Sequence, residues 1–368
     1  MAAFTAKDVQ ALREKTGVGM MECKKALVEA EGDMEKAVDI LRERGLATSA
    51  KKASRVAAEG VVAAYNDKEN KIGVLVEMNC ETDFVAKNPD FVALANRIAK
   101  TVAETNPADV DDLLKKTISG GDCTVEEAVQ ELFLAIRENM KVRRFARVEG
   151  VVETYIHAGG SVGVMVQFDT DDATAAKDEF TAMGKNIAMQ VAAMSPEYLS
   201  ESDITADELA KMKSITIDSA LNKPESLPKP ILNKVFDKVL ADKLWADADV
   251  AAYEEQKKNK FLFNFLSKEA IAKLAEVAVS LKDLFVDDNI FHKAVEGRIS
   301  KQIKEICVLN QVFVRSDLFD GNVGGYVADV AKKLGADIKV IGFTRFQRGE
   351  GIEKKADNFA AEIASMVK

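Results

Sequence analysis

The chain has 368 residues, enough for two or three domains that each bury a core of their own. Its hydrophobic share of 47% and charged share of 30% are typical of globular proteins, and its net charge of −9 argues against broad nucleic-acid binding. Two histidines, His157 and His292, are too few for a His-rich metal site. Four scattered cysteines favour a reducing cytosol, and no apolar run is long enough to span a bilayer. We therefore expect a cytoplasmic protein without a bound cofactor, membrane contact or direct nucleic-acid contact.

The first 55 residues predict three short helices. Thr5 is placed to cap the first helix, and Asp8 stands where a capping box needs a carboxylate. Glycines and polar residues predict helices at about 5–16, 20–30 and 34–45. The alanine-rich linker that follows contains three basic residues, Lys51, Lys52 and Arg55.

An internal repeat comes next. Two segments recur at an offset of 90 residues: 60–65 matches 150–155, and 72–76 matches 162–166. Beyond the loop that follows, Phe91 aligns with Phe180 at an offset of 89 (180 − 91). Each copy has the pattern of a β-hairpin followed by a turn and an amphipathic helix. The sequence therefore predicts an α+β protein with two related subdomains built on antiparallel sheets.

The loop that joins strand and helix in the first copy carries the tip Thr82-Asp83-Phe84-Val85. One interpretation is structural: Phe84 packs into its own subdomain and Asp83 caps the following helix. The repeat argues against it, because the second copy, read at an offset of 90, has no aromatic side chain among Asp172, Ala173, Thr174 and Ala175. The fold therefore does not require Phe84. An aromatic side chain beside a carboxylate on a turn suits insertion into another protein.

The region between the two copies predicts one more helix. Thr124 and Glu127 form another capping-box pattern, and the helix that they open is expected to reach Met140. That helix would run into four basic residues, Lys141, Arg143, Arg144 and Arg147.

The second half of the chain is mostly helical. A further capping-box pattern, formed by Thr205 and Glu208, opens a helical region. Helical periodicity dominates residues 205–305, and three prolines interrupt the helices, so we expect a projecting helical hairpin or a small bundle. Strands are then expected at residues 312–314 and 338–343, with a helix at 323–334 between them. A final helix is expected at about 356–366.

No catalytic constellation is visible in the sequence. The glycines at positions 17 and 19 lack the third glycine and the preceding strand of a dinucleotide fingerprint, and residues 321–325 lack the lysine of a phosphate loop. His157 has no serine or cysteine nucleophile near it in sequence. It falls in the expected hairpin turn of the second copy, where either plain solvent exposure or a partner contact would explain it. An enzyme is therefore disfavoured.

Three motifs follow one another along the chain: residues 12–27, residues 79–85, and Arg345 with residues 349–354. In this order they resemble the signatures of the elongation factor Ts family, the guanine-nucleotide exchange factors of elongation factor Tu. Together the motifs extend over nearly the whole chain.

The resemblance implies an α+β architecture in five parts. These would be an amino-terminal three-helix domain similar to a ubiquitin-associated (UBA) domain, with its linker (1–55); a first core subdomain (56–148); a second core subdomain (149–204 with 306–345); a long helical coiled-coil protrusion (205–305); and a carboxy-terminal helical module (346–368).

The resemblance also implies a translation elongation factor without covalent chemistry of its own. It would bind elongation factor Tu in the GDP-bound and nucleotide-free states and promote exchange of GDP for GTP. The tip formed by Thr82, Asp83, Phe84 and Val85 would enter the partner's nucleotide domain and displace the Mg²⁺ beside GDP. The implied partner contacts elsewhere are Leu12, Lys24, Lys51, His157, Phe359, Ile363 and Met366. A scaffold protein that uses its helical hairpin, or an uncharacterised enzyme, is the competing interpretation.

The sequence departs from the family pattern at two places. Asn186 stands where some relatives have a histidine, which puts that partner contact in doubt. Residues 223–291 form a connection much longer than usual, which we interpret as an enlarged helical protrusion with its own small core. A homodimer through the protrusion, or an extra partner contact, is the alternative. Trp245 and residues 261–265 have no functional interpretation.

Overall fold

The computed structural model of the protein describes residues 4–353 and divides into two units. The first unit contains the residues up to 195 and those from 313 onward, and the second contains residues 196–312. Helices and antiparallel strands both occur, so the α+β class is confirmed. The second unit is longer at both ends than the expected 205–305, because the backbone N–H groups of Glu197 and Tyr198 donate to the carbonyl of Ile306.

The amino-terminal part consists of helices α1 (Ala6–Thr16), α2 (Met20–Glu29) and α3 (Met34–Lys52). The predicted capping box is present, since the Asp8 carboxylate accepts from the Thr5 backbone N–H at 2.6 Å and from its hydroxyl at 2.8 Å. The core of this part contains Val9, Leu12, Val18, Leu27, Leu41 and, from a later helix, Leu134.

The third helix does not end at Gly45, as predicted, but continues to Lys52. A Cβ atom at Gly45 would lie 2.0 Å from Cδ2 of Leu134. The glycine therefore allows the helix to pass close to another element and is not a terminator. As a consequence, Lys51 and Lys52 belong to the last turn of α3 and not to a linker.

The first copy of the repeat starts with strands β1 (Glu59–Asp67) and β2 (Ile72–Cys80) and continues with four helices and a third strand. These further elements are α4 (Asp83–Ala86), α5 (Pro89–Thr105), α6 (Val110–Leu114), α7 (Val125–Ile136) and β3 (Met140–Glu149). Within the described residues, β1, β2 and β3 form one antiparallel sheet with β2 in the centre. Apolar residues of β2 and α5 form the core between sheet and helix, among them Val74, Val76, Met78, Phe91 and Ile98.

The predicted helix from Thr124 ends earlier than expected, at Ile136. Arg137 adopts a left-handed conformation and stops it. Met140 then begins β3, which pairs with the already formed β2, so tertiary pairing overrides the local pattern there. Lys141, Arg143, Arg144 and Arg147 therefore lie on a strand and not on a helix.

The second copy starts with β4 (Val151–His157), β5 (Val162–Asp169), α8 (Asp172–Ala175) and α9 (Asp178–Met194). As in the first copy, the two strands form an antiparallel hairpin. The helix α9 covers the hairpin and buries Phe180, as α5 buries Phe91 in the first copy. The predicted repeat of hairpin, turn and helix is thus confirmed.

Helices build the second unit: α10 (Ala206–Leu221), α11 (Lys229–Ala241), α12 (Asp247–Gln256), α13 (Lys268–Ser280), α14 (Lys282–Val286) and α15 (Asn289–Ile306). The predicted capping box at its start is confirmed, because the Glu208 carboxylate accepts from the Thr205 N–H and hydroxyl. Tyr198 lies beside Ile306, and Lys213 of α10 lies beside His292 of α15, so helices α10 and α15 run antiparallel. The short segments around Tyr198 and Cys307 pair in parallel.

The long insertion packs into one core with the rest of the second unit, which also contains Leu221 of α10 and Ile299 of α15. The first interpretation expected such an enlarged helical part with its own core. The buried side chains of the insertion include Ile231, Val235, Phe236, Trp245 and Leu274. The indole N–H of Trp245 donates to the Ala270 carbonyl at 3.0 Å, and its ring packs edge-on against Phe236. Trp245 therefore has a structural explanation.

The chain then returns to the first unit through α16 (Val323–Leu334) and β6 (Lys339–Gln347). Strand β6 pairs with β5, which makes β5 the centre of a second antiparallel sheet in the described residues. The strand predicted at 312–314 is wrong: Phe313 is buried and stacks on Tyr326 at 4.2 Å, and the Val314 N–H donates to the side chain of Gln190. Short 3-10 turns occur at Ala158–Gly160, Glu201–Asp203, Pro224–Ser226, Leu262–Phe265 and Val308–Asn310.

The repeat is longer than the sequence predicted, because it includes a second helix and a third strand. Helix α7 and β3 in the first copy correspond to α16 and β6 in the second. Arg137 and Gly335, at an offset of 198 (335 − 137), are both left-handed C-caps. The central strands share a register shift, between Glu77 and Met78 in one copy and between their counterparts at an offset of 90 in the other.

Candidate functional site

The tip of the first copy is a single helical turn, α4, that is tightly fixed at its base. The Thr82 hydroxyl caps it by accepting from the Val85 N–H at 3.4 Å. Val85 and Ala86 are buried in the core of the first copy, whereas 82% of Phe84 is exposed. The structural interpretation of Phe84 is therefore wrong, and the buried side chain of Val85 is withdrawn as a direct partner contact although Val85 belongs to the predicted tip.

Asp83 is half exposed and carries a negative charge beside Phe84. Its carboxylate lies 2.6 Å from Nζ of Lys87, one turn later. The hydrogen bond from Lys87 holds the pKa of Asp83 below its usual range. Asp83 does not cap the next helix, since the cap of α5 is the side chain of Asn88. The tip thus presents an apolar ring and a carboxylate side by side.

Thr82 is held from below by the connection between α7 and β3. The Glu138 carboxylate accepts from the Thr82 backbone N–H at 3.1 Å and from its hydroxyl at 2.9 Å. The Cys80 thiol donates to the Thr82 carbonyl at 3.1 Å. Burial and the nearby charge of Glu138 raise the pKa of Cys80 to about 12, so the thiol stays protonated and remains a donor.

The neighbouring Asn139 connects the same base to the end of α3. Its backbone N–H donates to the Glu81 carboxylate at 2.6 Å. Its side-chain amide donates to the carbonyls of Arg55 at 2.8 Å and Ala53 at 3.3 Å. Arg55 also pairs with Glu81 at 3.3 Å. The tip, the α7–β3 connection and the exit of the amino-terminal helices are therefore one hydrogen-bonded assembly.

The second copy places a very different turn on the same scaffold. Asp171 caps α8 as Thr82 caps α4, which sets the offset at this turn to 89 and not 90. Phe84 therefore corresponds to the exposed Ala173, and Val85 to the buried Thr174. The pairing assumed from the sequence was one residue out of register, because strand β5 is one residue shorter than β2. The conclusion that the second copy has no aromatic side chain there is unchanged.

The other predicted contact residues fall into three groups. Leu12 is fully buried in the core of the amino-terminal helices, so its side chain is withdrawn as a partner contact. Lys24, Lys51 and His157 are exposed. His157 ends β4, as expected for a residue at the hairpin turn, and its Nδ1 lies 3.0 Å from the Tyr155 hydroxyl. The expected module of residues 346–368 lies mostly outside the described residues, together with Phe359, Ile363 and Met366.

Exposed apolar side chains on α2 were not singled out in the sequence. Met20 and Met21 are 42% and 65% exposed, and Val28 is 59% exposed on the same helix as Lys24. The available signal was two adjacent methionines at the start of a helix. Adjacent helical side chains point in different directions, so a three-helix core cannot bury both of them.

The carboxy-terminal motif docks on the first sheet through a buried carboxylate. Glu77 accepts from Arg143 at 2.9 Å, from Arg144 at 2.6 Å and from the Gly349 backbone N–H at 2.7 Å. Burial opposes ionisation, but the bonds from Gly349 and the two arginines outweigh it and hold the pKa of Glu77 below its usual range. Arg143 also donates to the Glu350 carbonyl. Arg143 and Arg144 of β3 therefore anchor the chain as it leaves β6.

Among residues 4–353, no group of three or more His, Cys, Asp or Glu side chains is arranged to hold a metal ion. In that same part of the chain, no helix has both the length and the apolar character needed to cross a bilayer.

Asn186, at the position where the sequence put a partner contact in doubt, donates to the Tyr326 hydroxyl at 3.0 Å.

Comparison with known proteins gives consistent similarities. The model of the family described as Elongation factor TS matches residues 81–257 and 260–350. The protein named Elongation factor Ts from Clostridium perfringens (strain 13 / Type A) is 40% identical over 366 residues, 99% of each chain. The protein of the same name from Clostridioides difficile (strain 630) is 40% identical over 370 residues, 100% of each chain. That from Clostridium botulinum (strain Alaska E43 / Type E3) is 38% identical over 367 residues, again 99% of each.

Proposed function

The chain belongs to the elongation factor Ts family, and from this premise we propose that it is a guanine-nucleotide exchange factor for elongation factor Tu. It binds the GDP-bound partner, opens the nucleotide site and leaves a nucleotide-free complex that GTP resolves. The observation that supports this most directly is Phe84, exposed on a turn whose base is fixed by buried contacts. The protein performs no covalent chemistry and acts in the cytoplasm.

The proposed target is the Mg²⁺ beside the phosphates of GDP. Mg²⁺ requires near-octahedral oxygen coordination, so a small displacement of its ligands weakens it strongly. Phe84 supplies apolar area that inserts into the partner, and Asp83 supplies a charge that competes for groups near the phosphates. Thr82 and Val85 hold these two side chains in place.

Exchange follows from linkage. If the factor binds the nucleotide-free partner more tightly than the GDP-bound partner, then GDP must weaken the binding of the factor by the same ratio. Accelerating release by about 10⁴-fold lowers the barrier by roughly 5.5 kcal/mol. Burying one phenylalanine contributes about 2 kcal/mol, so other contacts must share the work.

We propose that those contacts lie on the remaining exposed positions. Lys24 and the apolar Met20 and Met21 on α2, Lys51 at the end of α3, and His157 at the second hairpin each face solvent. The roles of Phe359, Ile363 and Met366 stay predictions of the sequence. The insertion in the second unit is proposed to enlarge the protrusion. The alternatives are a homodimer through the protrusion or an extra partner contact, and sedimentation of the protein alone would reveal the dimer from its mass.

The test is the release of a fluorescent GDP from elongation factor Tu, measured by rapid mixing with and without this protein. We expect strong acceleration by the unmodified protein. Replacing Phe84 by alanine should reduce the release rate about 30-fold, the equivalent of about 2 kcal/mol, without unfolding the protein. The loss follows from the missing apolar area of the tip.

The second copy offers a matched control. Ala173→Phe places an aromatic ring at the corresponding exposed position, and it should leave the release rate of the unmodified protein unchanged. Added to Phe84→Ala, it should not restore the lost release rate. An unaltered release rate in Phe84→Ala would contradict the insertion role. If the unmodified protein does not accelerate release at all, a scaffold protein is favoured. GDP would not dissociate the complex of a scaffold protein with its partner.

A further inference from the structure

The base of the tip contains an interaction that the fold of this subdomain does not require. In the first copy, Glu138 and Glu81 join the loop after β2 to the connection between α7 and β3. The two segments meet in the same way in the second copy, where β5 and β6 are paired through corresponding residues. The repeat therefore allows an internal comparison of one junction with and without its carboxylates.

In the second copy the junction closes with neutral groups. The position of Glu138 is taken by Ala336, at the offset of 198 that also relates the two C-caps. The Thr170 hydroxyl, at the position of Glu81, donates to the Asp337 carbonyl at 2.9 Å. Asp171 satisfies the cap of α8 within its own turn, through the Thr174 N–H at 2.9 Å. The architecture thus forms without a carboxylate at the position of Glu138.

Glu138 acts on the residue directly before Asp83 and Phe84. Its carboxylate accepts hydrogen bonds from both the backbone N–H and the hydroxyl of Thr82. Hydrogen bonds to a carboxylate are stronger than those between neutral groups. An isolated turn of four residues has no helical stability of its own, so its direction depends on its anchors. Val85 and Ala86 fix α4 from the core side, and Glu138 fixes its amino-terminal end.

Asn139 extends the same anchor to the amino-terminal helices. Its amide donates to the Arg55 and Ala53 carbonyls, at the end of α3. Because Glu138 and Asn139 are adjacent, the tip and the exit of α3 are held by one short piece of chain. A partner gripped by the amino-terminal helices would therefore meet Phe84 in a fixed position, and such pre-organisation removes an ordering penalty from the transition state.

We propose that Glu138 is a positioning residue for nucleotide exchange, which holds Thr82 so that Asp83 and Phe84 are presented in one orientation, with Asn139 tying this anchor to α3. The proposal rests on the proposed exchange function. Glu138 touches neither nucleotide nor Mg²⁺ and works through Thr82.

The test measures GDP release from elongation factor Tu over a range of concentrations of the intact protein. Glu138→Ala should lower the maximal release rate constant on the order of tenfold, as expected for one lost charge-assisted anchor, while the half-saturating concentration stays within about twofold. Glu138→Gln keeps an acceptor oxygen and should fall in between. Thr170→Ala, which removes the neutral bond of the second junction, is the matched control and should change neither quantity.

Thr82→Val provides a second approach from the other side of the bond. It removes the hydroxyl that donates to Glu138 and also caps α4. Because the bond between hydroxyl and carboxylate is lost in both single variants, the double variant should slow release by less than the product of the two single effects. The thermal midpoint of each variant is compared with that of Thr170→Ala, so that a variant that folds poorly is recognised. Thr82→Val then still tests the contact if Glu138→Ala alone folds poorly.

The outcomes separate this proposal from the function on which it rests. If Phe84→Ala slows release while Glu138→Ala and Thr82→Val leave the maximal rate unchanged, the positioning role is overturned and the exchange function stands. If the Glu138 variants raise the half-saturating concentration alone, Glu138 supports binding and not positioning, which also overturns it. If the unmodified protein does not accelerate release, the exchange function itself fails.

Discussion

The two copies of the repeat share a scaffold and differ in what they present. Both have a hairpin, a capped single turn, a long helix, a second helix and a third strand that completes the sheet. The first turn exposes Phe84 and is anchored by Glu138, whereas the corresponding positions of the second copy hold Ala173 and Ala336. The difference shows that the shared scaffold forms without an aromatic side chain at the first of these positions and without a carboxylate at the second.

The largest expected effect comes from the glycine that opens each hairpin. Gly60 and Gly150 both have positive φ angles, of 138° and 121°. A Cβ atom at Gly60 would lie 2.1 Å from the Met78 carbonyl oxygen, while at Gly150 it would meet nothing within 4 Å. Gly60→Ala should therefore destabilise the first copy by about 4 kcal/mol, and Gly150→Ala the second by about 1–2 kcal/mol.

Hydrogen exchange of the strand amides reports on each copy separately and would measure both glycine variants. Faster exchange in β1 and β2 than in β4 and β5 is expected for Gly60→Ala. Equal losses for the two variants would mean that backbone conformation, and not the clash, sets the cost.

A somewhat smaller effect is expected from Glu77→Gln, which gives the first copy the residue that the second has at Gln167. The change removes the charge that Arg143, Arg144 and Gly349 bind, and should destabilise the protein by about 3 kcal/mol at neutral pH. Because the pKa of Glu77 is lowered in the folded state, its contribution is complete above the ordinary value of 4.5 and disappears as the pH falls through the lowered one.

Urea unfolding at several pH values would test the Glu77 prediction. The stability difference between the two proteins should be constant near neutrality and shrink in acid. A difference that does not depend on pH would show that lost packing, and not lost charge, is responsible. The matched reference is Gln167→Ala in the second copy, whose effect should not vary with pH.

The smallest effect is expected at the buried position of the two turns, Val85 in one and Thr174 in the other. Thr174→Val removes a hydroxyl that donates to Asp171 at 2.8 Å and that helps to hold the pKa of this carboxyl below its usual range. The pKa of Asp171 should rise toward its ordinary value of 3.8, with a smaller change in stability than in the preceding variants, since an apolar side chain fits there in the first copy. A titration followed by NMR would measure it, and an unchanged pKa would assign the shift to the backbone N–H groups of the turn, with that of Thr174 first among them.

Local signals in the sequence predicted much of the fold. The capping boxes at Thr5, Thr124 and Thr205 start helices where expected, because a cap involves residues only three apart. The tip was also found from the sequence, since the repeat revealed an aromatic residue that one copy lacks. Its anchors Glu138 and Asn139 were not predicted, because they stand about 56 residues away in the chain, beyond the segments in which the two copies match in sequence.

Cap residues, hydrophobic periodicity and the repeat were readable from the chain itself, since each depends on neighbours in sequence. Packing between distant segments settled the rest. Gly45 continues a helix because Leu134 passes close to it, Met140 starts a strand because β2 offers a partner, and Leu12 is buried because three helices close over it. The exposure of Phe84 is of the same kind: Val85 and Ala86 fill the core beneath the turn, which leaves the aromatic ring no place but solvent or a partner.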